Sequence, residues 1–476
     1  MTDDDIIARR LAVTLAQAGH ALPEAPADAV GAARQRLIRR RRRTRLATAA
    51  TLVVVAVATA LTAAGPYLAP RPDPPAQQSA GDEILRVWAL STARHNGGLI
   101  KCIDRFNNGS DTQVELSTFG SDAYQMVMSG PALPDPAPDV FENWGGTEFA
   151  RAVDGGRVAD LTGAAAGRSD LFLPDVLDGA KVGGRLYGLP MTGVQPIMLF
   201  YHKGLFADAG LNPPRTFAEL LTAVDAFKAR DVTPIALAGG ARWPALMYLM
   251  YLTDRLGGPG VFADIRAGRP GAWQHPAVRE AAGLTQQLVR RGAFGPDANA
   301  LEYDSGSTSR MLHDGRAAMQ LMGSWEYGIQ LADDPAFATI DLGYVPFPAV
   351  AGGAGNPADV VGVPANYFSV DADSPHRDDA VDFVVDTLTS DQFIDGLLAA
   401  GEVPAVRDLE SRLAGQPHAT FARFTHRLAT AAPAFTLAWD QALSYPVAAV
   451  LLERTRELIQ LEITPEQFVA AMAAAA

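Results

Sequence analysis

Cysteine is nearly absent from this 476-residue chain: the only one is Cys102. An internal disulfide framework and a cysteine-based zinc cluster are both excluded. Flanked by Leu99, Ile100, Ile103 and Phe106 at helical spacing, the thiol reads as a buried core group. The chain also lacks a Gly-x-Ser-x-Gly elbow, a His-Glu-x-x-His pair and a Walker A run, which leaves serine hydrolase, zincin and nucleotide-hydrolase readings without support. No internal repeat is visible, and no metal or cofactor is called for. Positive charge is scarce after the first 45 residues. Those residues hold ten arginines against five acids, a balance of +5, so with a total of −13 the remainder carries −18. A body that acidic repels nucleic acid and anionic lipid.

What is present is a composition suited to folding, 48% hydrophobic and 8% aromatic, in a chain too long for one core. Residues 46–65 carry no charge and have about the length that spans ~30 Å of hydrocarbon. The arginines at 39 to 43 precede this stretch and mark its cytoplasmic side. Residues 1–45 are therefore expected to form a cytoplasmic basic leader, with short helices over 3–18 and 27–43, and 46–65 a transmembrane anchor or a signal. Ala63-Ala64-Gly65 offers small residues for signal cleavage. The long leader favours retention of the span. Residues 66–81, with prolines at 66, 70, 72, 74 and 75, read as a semi-rigid spacer.

Beyond the spacer, strand and helix patterns alternate, which predicts an α/β architecture with largely parallel sheets. Strands are expected at 84–90, 113–119 and 139–142, and helices at 98–106, from 124 onward, and at 148–154. The apolar run from Pro196 to Tyr201 reads as a buried strand. Gly204, Gly210 and Pro213-Pro214 follow it, and Thr216 with Glu219 then forms a capping box for the next helix.

Ligands in open α/β sheets lie beyond the carboxyl ends of strands. The first exit carries Ser91-Thr92, polar groups suited to hydroxyls, and the second carries Asp122, equally well placed as a helix cap. The third carries Glu142, Asn143 and Trp144 on a glycine-rich turn. A pyranose presents C–H groups on one face and hydroxyls around its rim, so an indole can cover the face while polar groups bond the rim.

The ordered set Pro138-Asp-Val-Phe141 with Trp144-Gly-Gly, Thr233-Pro-Ile-Ala236 with Arg242-Trp-Pro244, Gly315-Arg-Ala-Ala-Met319 with Gly323-Ser-Trp325, Phe347-Pro348 and Glu402-Val-Pro-Ala405 resembles the extracellular solute-binding proteins that deliver sugars to ABC importers, the group that includes maltose-binding protein. No lipobox cysteine follows the hydrophobic span, a departure from many members. The resemblance implies a two-lobed periplasmic-binding-protein-like fold of type II. Lobe one would comprise 82–194 and 364–432, and lobe two 195–363 and 433–476. The chain would cross near Gln195, Gly362 and Pro433. It further implies Trp144, Trp325 and Trp439 as sugar-stacking rings, with Trp243, Gln195, Glu326 and Asp440 beside them. Expected partners are a carbohydrate and membrane permease subunits, with the chain itself a monomer. A membrane-anchored carbohydrate sensor is the alternative function. A glycoside hydrolase, which would need two carboxylates flanking the scissile bond and for which Glu142 and Glu326 are candidates, is a more distant one.

Overall fold

The computed structural model describes residues 83–91, 97–128 and 136–475. The leader, the hydrophobic stretch and the spacer expected over 1–81 lie outside these residues. No helix among the described residues is long and apolar enough to cross a membrane.

Among the described residues thirteen strands occur in chain order: β1 (Glu83–Leu90), β2 (Thr112–Phe119), β3 (Val140–Asn143), β4 (Lys181–Val182), β5 (Arg185–Leu186), β6 (Leu189–Pro190), β7 (Gln195–His202), β8 (Thr233–Ala236), β9 (Ala317–Gly323), β10 (Leu342–Val345), β11 (Val360–Val363), β12 (Tyr367–Val370) and β13 (Phe435–Leu437). The first sheet has the order β2-β1-β3-β12-β6 and the second β13-β11-β7-β9-β8, with β10 also paired to β7. Helices Gly97–Gly109 and Ser121–Met128 connect β1 to β2 and β2 to β3, as the alternating pattern indicated.

The sheets are mixed, which corrects the expectation of largely parallel ones. β1 runs parallel to β2 and β3, but β12 is antiparallel to both β3 and β6. In the second sheet β7 is antiparallel to β9, β10 and β11. Local strand-helix-strand crossovers enforce parallel neighbours. β12 enters the first sheet only after the chain has returned from the second, so no such crossover dictates its direction.

β7 occupies the interior of its sheet, with β9 on one side and β11 followed by β10 on the other. Gln195 through Phe200 are all buried, which explains the uninterrupted apolar run. The next helix, Phe217–Lys228, is capped as expected. Thr216 Oγ1 accepts from the Glu219 amide at 3.2 Å, and Glu219 Oε2 accepts in return from the amide of Thr216 at 3.2 Å. This cap sets the helix so that Leu220, Val224 and Phe227 face the core. Cys102 is a free, fully buried thiol on helix Gly97–Gly109 beside buried Leu99 and Ile103.

The chain passes between the sheets at 191–194 and again at 364–366, close to two of the anticipated crossings. The third differs. Helix Ala419–Thr430 packs on the second sheet, where Phe421 stacks on Tyr327 with centroids 3.9 Å apart and Phe424 lies 4.9 Å from Tyr344. The passage therefore precedes Ala419 and is not near Pro433. The cause is the aromatic pair at i and i+3, which gives this helix an apolar face matched to the rings of Tyr327 and Tyr344.

Candidate functional site

Trp144 is aimed by the turn that ends β3. Asn143 Oδ1 accepts from the Gly145 amide at 3.0 Å, while its Nδ2 donates to Ser369 Oγ at 2.9 Å and so clasps β3 to β12. Gly145 and Gly146 both adopt positive φ, 71° and 77°. Side chains there would be strained, so the pair of glycines is what permits the reversal. The Trp144 ring lies edge-on to Tyr124, 5.8 Å away, whose hydroxyl donates to the Glu142 carbonyl at 2.7 Å.

Trp325 comes from the second sheet. β9 is buried throughout, and at its end Ser324 donates through its hydroxyl to the Val194 carbonyl at 2.9 Å and through its amide to the Pro196 carbonyl at 3.0 Å. These bonds fix the start of helix Trp325–Asp333 against the crossing segment. The Trp325 indole N–H then donates to the Tyr303 hydroxyl at 2.8 Å. Trp243 opens helix Trp243–Gly257, its ring 4.9 Å from Tyr303 and 6.2 Å from Trp325.

Trp144, Trp243 and Trp325 line one cavity, with about 980 Å³ of free space continuous with solvent. Gln195 and Asp440 line it too. Its walls come from both sheets, and the two bodies touch around it. Asp304 Oδ2 accepts from the Ser121 amide at 3.0 Å, Thr147 Oγ1 donates to the Ala442 carbonyl at 2.7 Å, and the Tyr445 amide donates to Glu148 Oε1 at 2.8 Å.

Trp439 is the main correction. It is 1% exposed, stacked on Phe262 at 4.6 Å with planes 3° apart and edge-on to Trp273 at 5.9 Å. The short helix Trp439–Ala442 turns Trp439 and Ala442 inward, so Asp440 and Gln441 face the cavity instead.

Glu326, Glu142 and Asn143 are also displaced from ligand contact. Glu326 is 0% exposed, accepting from Gln330 Nε2 at 2.8 Å and from the Tyr303 hydroxyl at 3.2 Å. Burial pushes its carboxyl up to about 7. It supports Tyr303, which in turn holds Trp325. Glu142 accepts from the Leu90 amide at 2.7 Å and from Asn366 Nδ2 at 2.5 Å, and burial raises it to about 7. Glu142 and Asn143 border a neighbouring cavity and not the one lined by three indoles. Asn143 spends its Oδ1 on the turn and its Nδ2 on β12. Asp122 lies in the first turn of helix Ser121–Met128, but its side chain, like the whole of Thr92, falls outside the described residues.

Among the lining residues that sequence reasoning missed are Tyr303, Asp304, Asn366 and Glu402. Tyr303 and Asp304 sit in a single 3-10 turn with no periodic signal. Glu402 lies inside the Glu-Val-Pro motif noted above, yet nothing local aims it at a strand exit. Its Oε2 accepts from the Gly193 amide at 3.3 Å, and burial, with the charge of Glu142 adding to it, raises the carboxyl to about 7.

Residues 92–392 match the model of the bacterial extracellular solute-binding protein family. An uncharacterised ABC transporter extracellular-binding protein of Pyrococcus horikoshii is 24% identical over 229 residues, 47% of this chain and 50% of that protein. The multiple sugar-binding protein of Streptococcus mutans is 26% identical over 210 residues, 43% and 47% respectively. The chain thus spans about half the length of the curated relatives it matches. Among solved structures, one from work on xylan utilisation by Caldanaerobius polysaccharolyticus superposes with a TM-score of 0.73 at 26% identity, covering 82% of this chain and 99% of that one. A chitin oligosaccharide binding protein superposes with a TM-score of 0.70 at 23% identity, covering 82% and 97%. The family match extends over more than half the chain, and the protein belongs to the bacterial extracellular solute-binding protein family.

Proposed function

We propose that this chain is the extracellular substrate-binding component of an ABC importer and that it holds a sugar or short oligosaccharide in the cavity between its two sheets. One observation carries the reading: indoles from separate bodies, Trp144 on one and Trp243 and Trp325 on the other, line the same solvent-connected space. Flat aromatic faces suit the C–H surface of a pyranose, and the polar side chains between them suit its hydroxyls. The names of the relatives support the same class of ligand.

In this reading lobe one comprises 82–194 with 364–418, and lobe two 195–363 with 419–476. Sugar contacts to both lobes stabilise a closed form of the type II binding-protein fold. The uncharged stretch 46–65 anchors the chain with its amino terminus in the cytoplasm, and a monomer delivers the ligand to permease subunits. No chemical step is involved. Glu142 and Glu326, the carboxylates considered for hydrolysis, are both tied into protein hydrogen bonds and do not line the cavity. Calorimetric titration of the full-length protein with a panel of mono- and oligosaccharides tests the proposal. Saturable heat and a change in tryptophan fluorescence are expected for at least one sugar, with no hydrolysis products afterwards. Silence across the panel sinks the carbohydrate reading, and multiple turnovers sink the binding-only one.

A further inference from the structure

The polar groups of the cavity are unevenly divided between donors and acceptors. Its described lining includes the carboxylates Asp304, Glu402 and Asp440, but no lysine, arginine or histidine. Neutral donors are present in Gln125, Gln195 and the hydroxyls of Ser91 and Ser121. These suit the oxygens of a sugar. The far wall is different. Asn366 is 4% exposed, and its Nδ2 donates to Glu142 Oε1 at 2.5 Å. Its Oδ1 is buried and has no hydrogen-bond partner, and the residue forms part of the cavity lining. Gln441, also on the lining, has a buried Oε1 in the same state.

Glu402 lies beside Asn366. The consecutive residues Thr192 and Gly193 tie them together, Thr192 Oγ1 accepting from the Asn366 amide at 2.7 Å and the Gly193 amide donating to Glu402 Oε2 at 3.3 Å. One wall therefore offers a carboxylate and a buried orphan carbonyl side by side, both acceptors. Leaving such an acceptor unpaired costs free energy that a ligand donor would recover. A hydroxyl brings one donor and two lone pairs. An ammonium group brings three donors and no lone pair, and its charge strengthens each bond. The indoles that line the same cavity add attraction for a cation.

We infer that the sugar this cavity selects carries a protonated amine, seated against Glu402 and the Asn366 Oδ1. The inference rests on the carbohydrate reading of the cavity and narrows it to amino sugars over neutral or anionic ones. The acidic body, carrying −18 beyond residue 45, draws such a cation toward the protein.

The test titrates the full-length protein at pH 7.0 with glucosamine, galactosamine and mannosamine, each beside its N-acetyl derivative and its parent hexose, and with glucuronic acid. An amino sugar binding at least about tenfold more tightly than both of its neutral counterparts supports the inference. In that case Glu402→Gln shrinks the ratio of amine to neutral affinity toward one. If Glu402→Gln does not fold, Glu402→Asp, which draws the carboxylate back from the amine, is required to shrink the same ratio. Neutral sugars or glucuronic acid binding as tightly as the amines overturns the amine inference while the sugar-binding function stands. No binding by any carbohydrate overturns both.

Discussion

Two tryptophans define opposite roles at the residue scale. Trp439 is sealed between Phe262 and Trp273, so truncation leaves a large cavity in the core. Trp439→Ala is expected to cost about 3–5 kcal/mol in urea unfolding. Trp325 is partly exposed on the cavity wall, and Trp325→Ala is expected to weaken sugar affinity at least about tenfold, with a much smaller change in stability. Equal stability losses in the two variants would contradict this division. Glu326 gives a pH signature. Its folded-state value of about 7 lies above that of an exposed glutamate, so the native state holds a proton that the unfolded chain has released between roughly pH 4.5 and 7. Stability contributed through this group therefore falls as pH rises through that window. Half-buried His202, His418 and His426 are shifted downward and act in the opposite sense on the acid side, so a comparison with a variant isolates the carboxyl. Relative to the parent, Glu326→Gln is expected to gain on the order of 1 kcal/mol or more between pH 5.5 and pH 8 in denaturant midpoints.

At the scale of elements, two short segments carry much of the geometry. The Thr216–Glu219 capping box starts the helix that backs β8, and Thr216→Ala is expected to cost about 1 kcal/mol, read as a lower urea midpoint with unchanged slope. The turn after β3 is less forgiving. A Cβ on Gly146 would meet the Gln441 carbonyl at a φ of 77°, so Gly146→Ala strains the backbone and pushes the lobes apart at the point where they touch. Its expected signature is a loss of sugar affinity together with a loss of stability of more than about 1 kcal/mol. The capping box was legible because its signal is local, a threonine and a glutamate three residues apart. The support of Trp144 by Asn143 was not, because it depends on Ser369, which lies 226 positions away.

For the whole molecule, the contacts from Ser121 to Asp304, Thr147 to Ala442 and Glu148 to Tyr445 hold the two bodies together around the cavity. If these belong to a closed form favoured by ligand, small-angle scattering should report a smaller radius of gyration after sugar is added. Glu148→Ala, which removes the acceptor for the Tyr445 amide, should lower affinity several-fold by destabilising the closed form. An unchanged radius with and without a bound sugar would show that closure is not linked to binding.

The sequence alone determined the strands, helices and caps whose causes are local: the buried run of β7, the capping box at Thr216, the apolar spacing around Cys102 and the glycine pair that follows Trp144. Tertiary structure decided what depends on partners distant in the chain. It ran β12 antiparallel to β3, placed helix Ala419–Thr430 on the second sheet, buried Trp439, and brought Tyr303, Asp304, Asn366 and Glu402 to the wall of one cavity. An indole is chemically suited both to stacking on a sugar and to filling a core. Only the surfaces packed around it, drawn here from Phe262 and Trp273, select between the two.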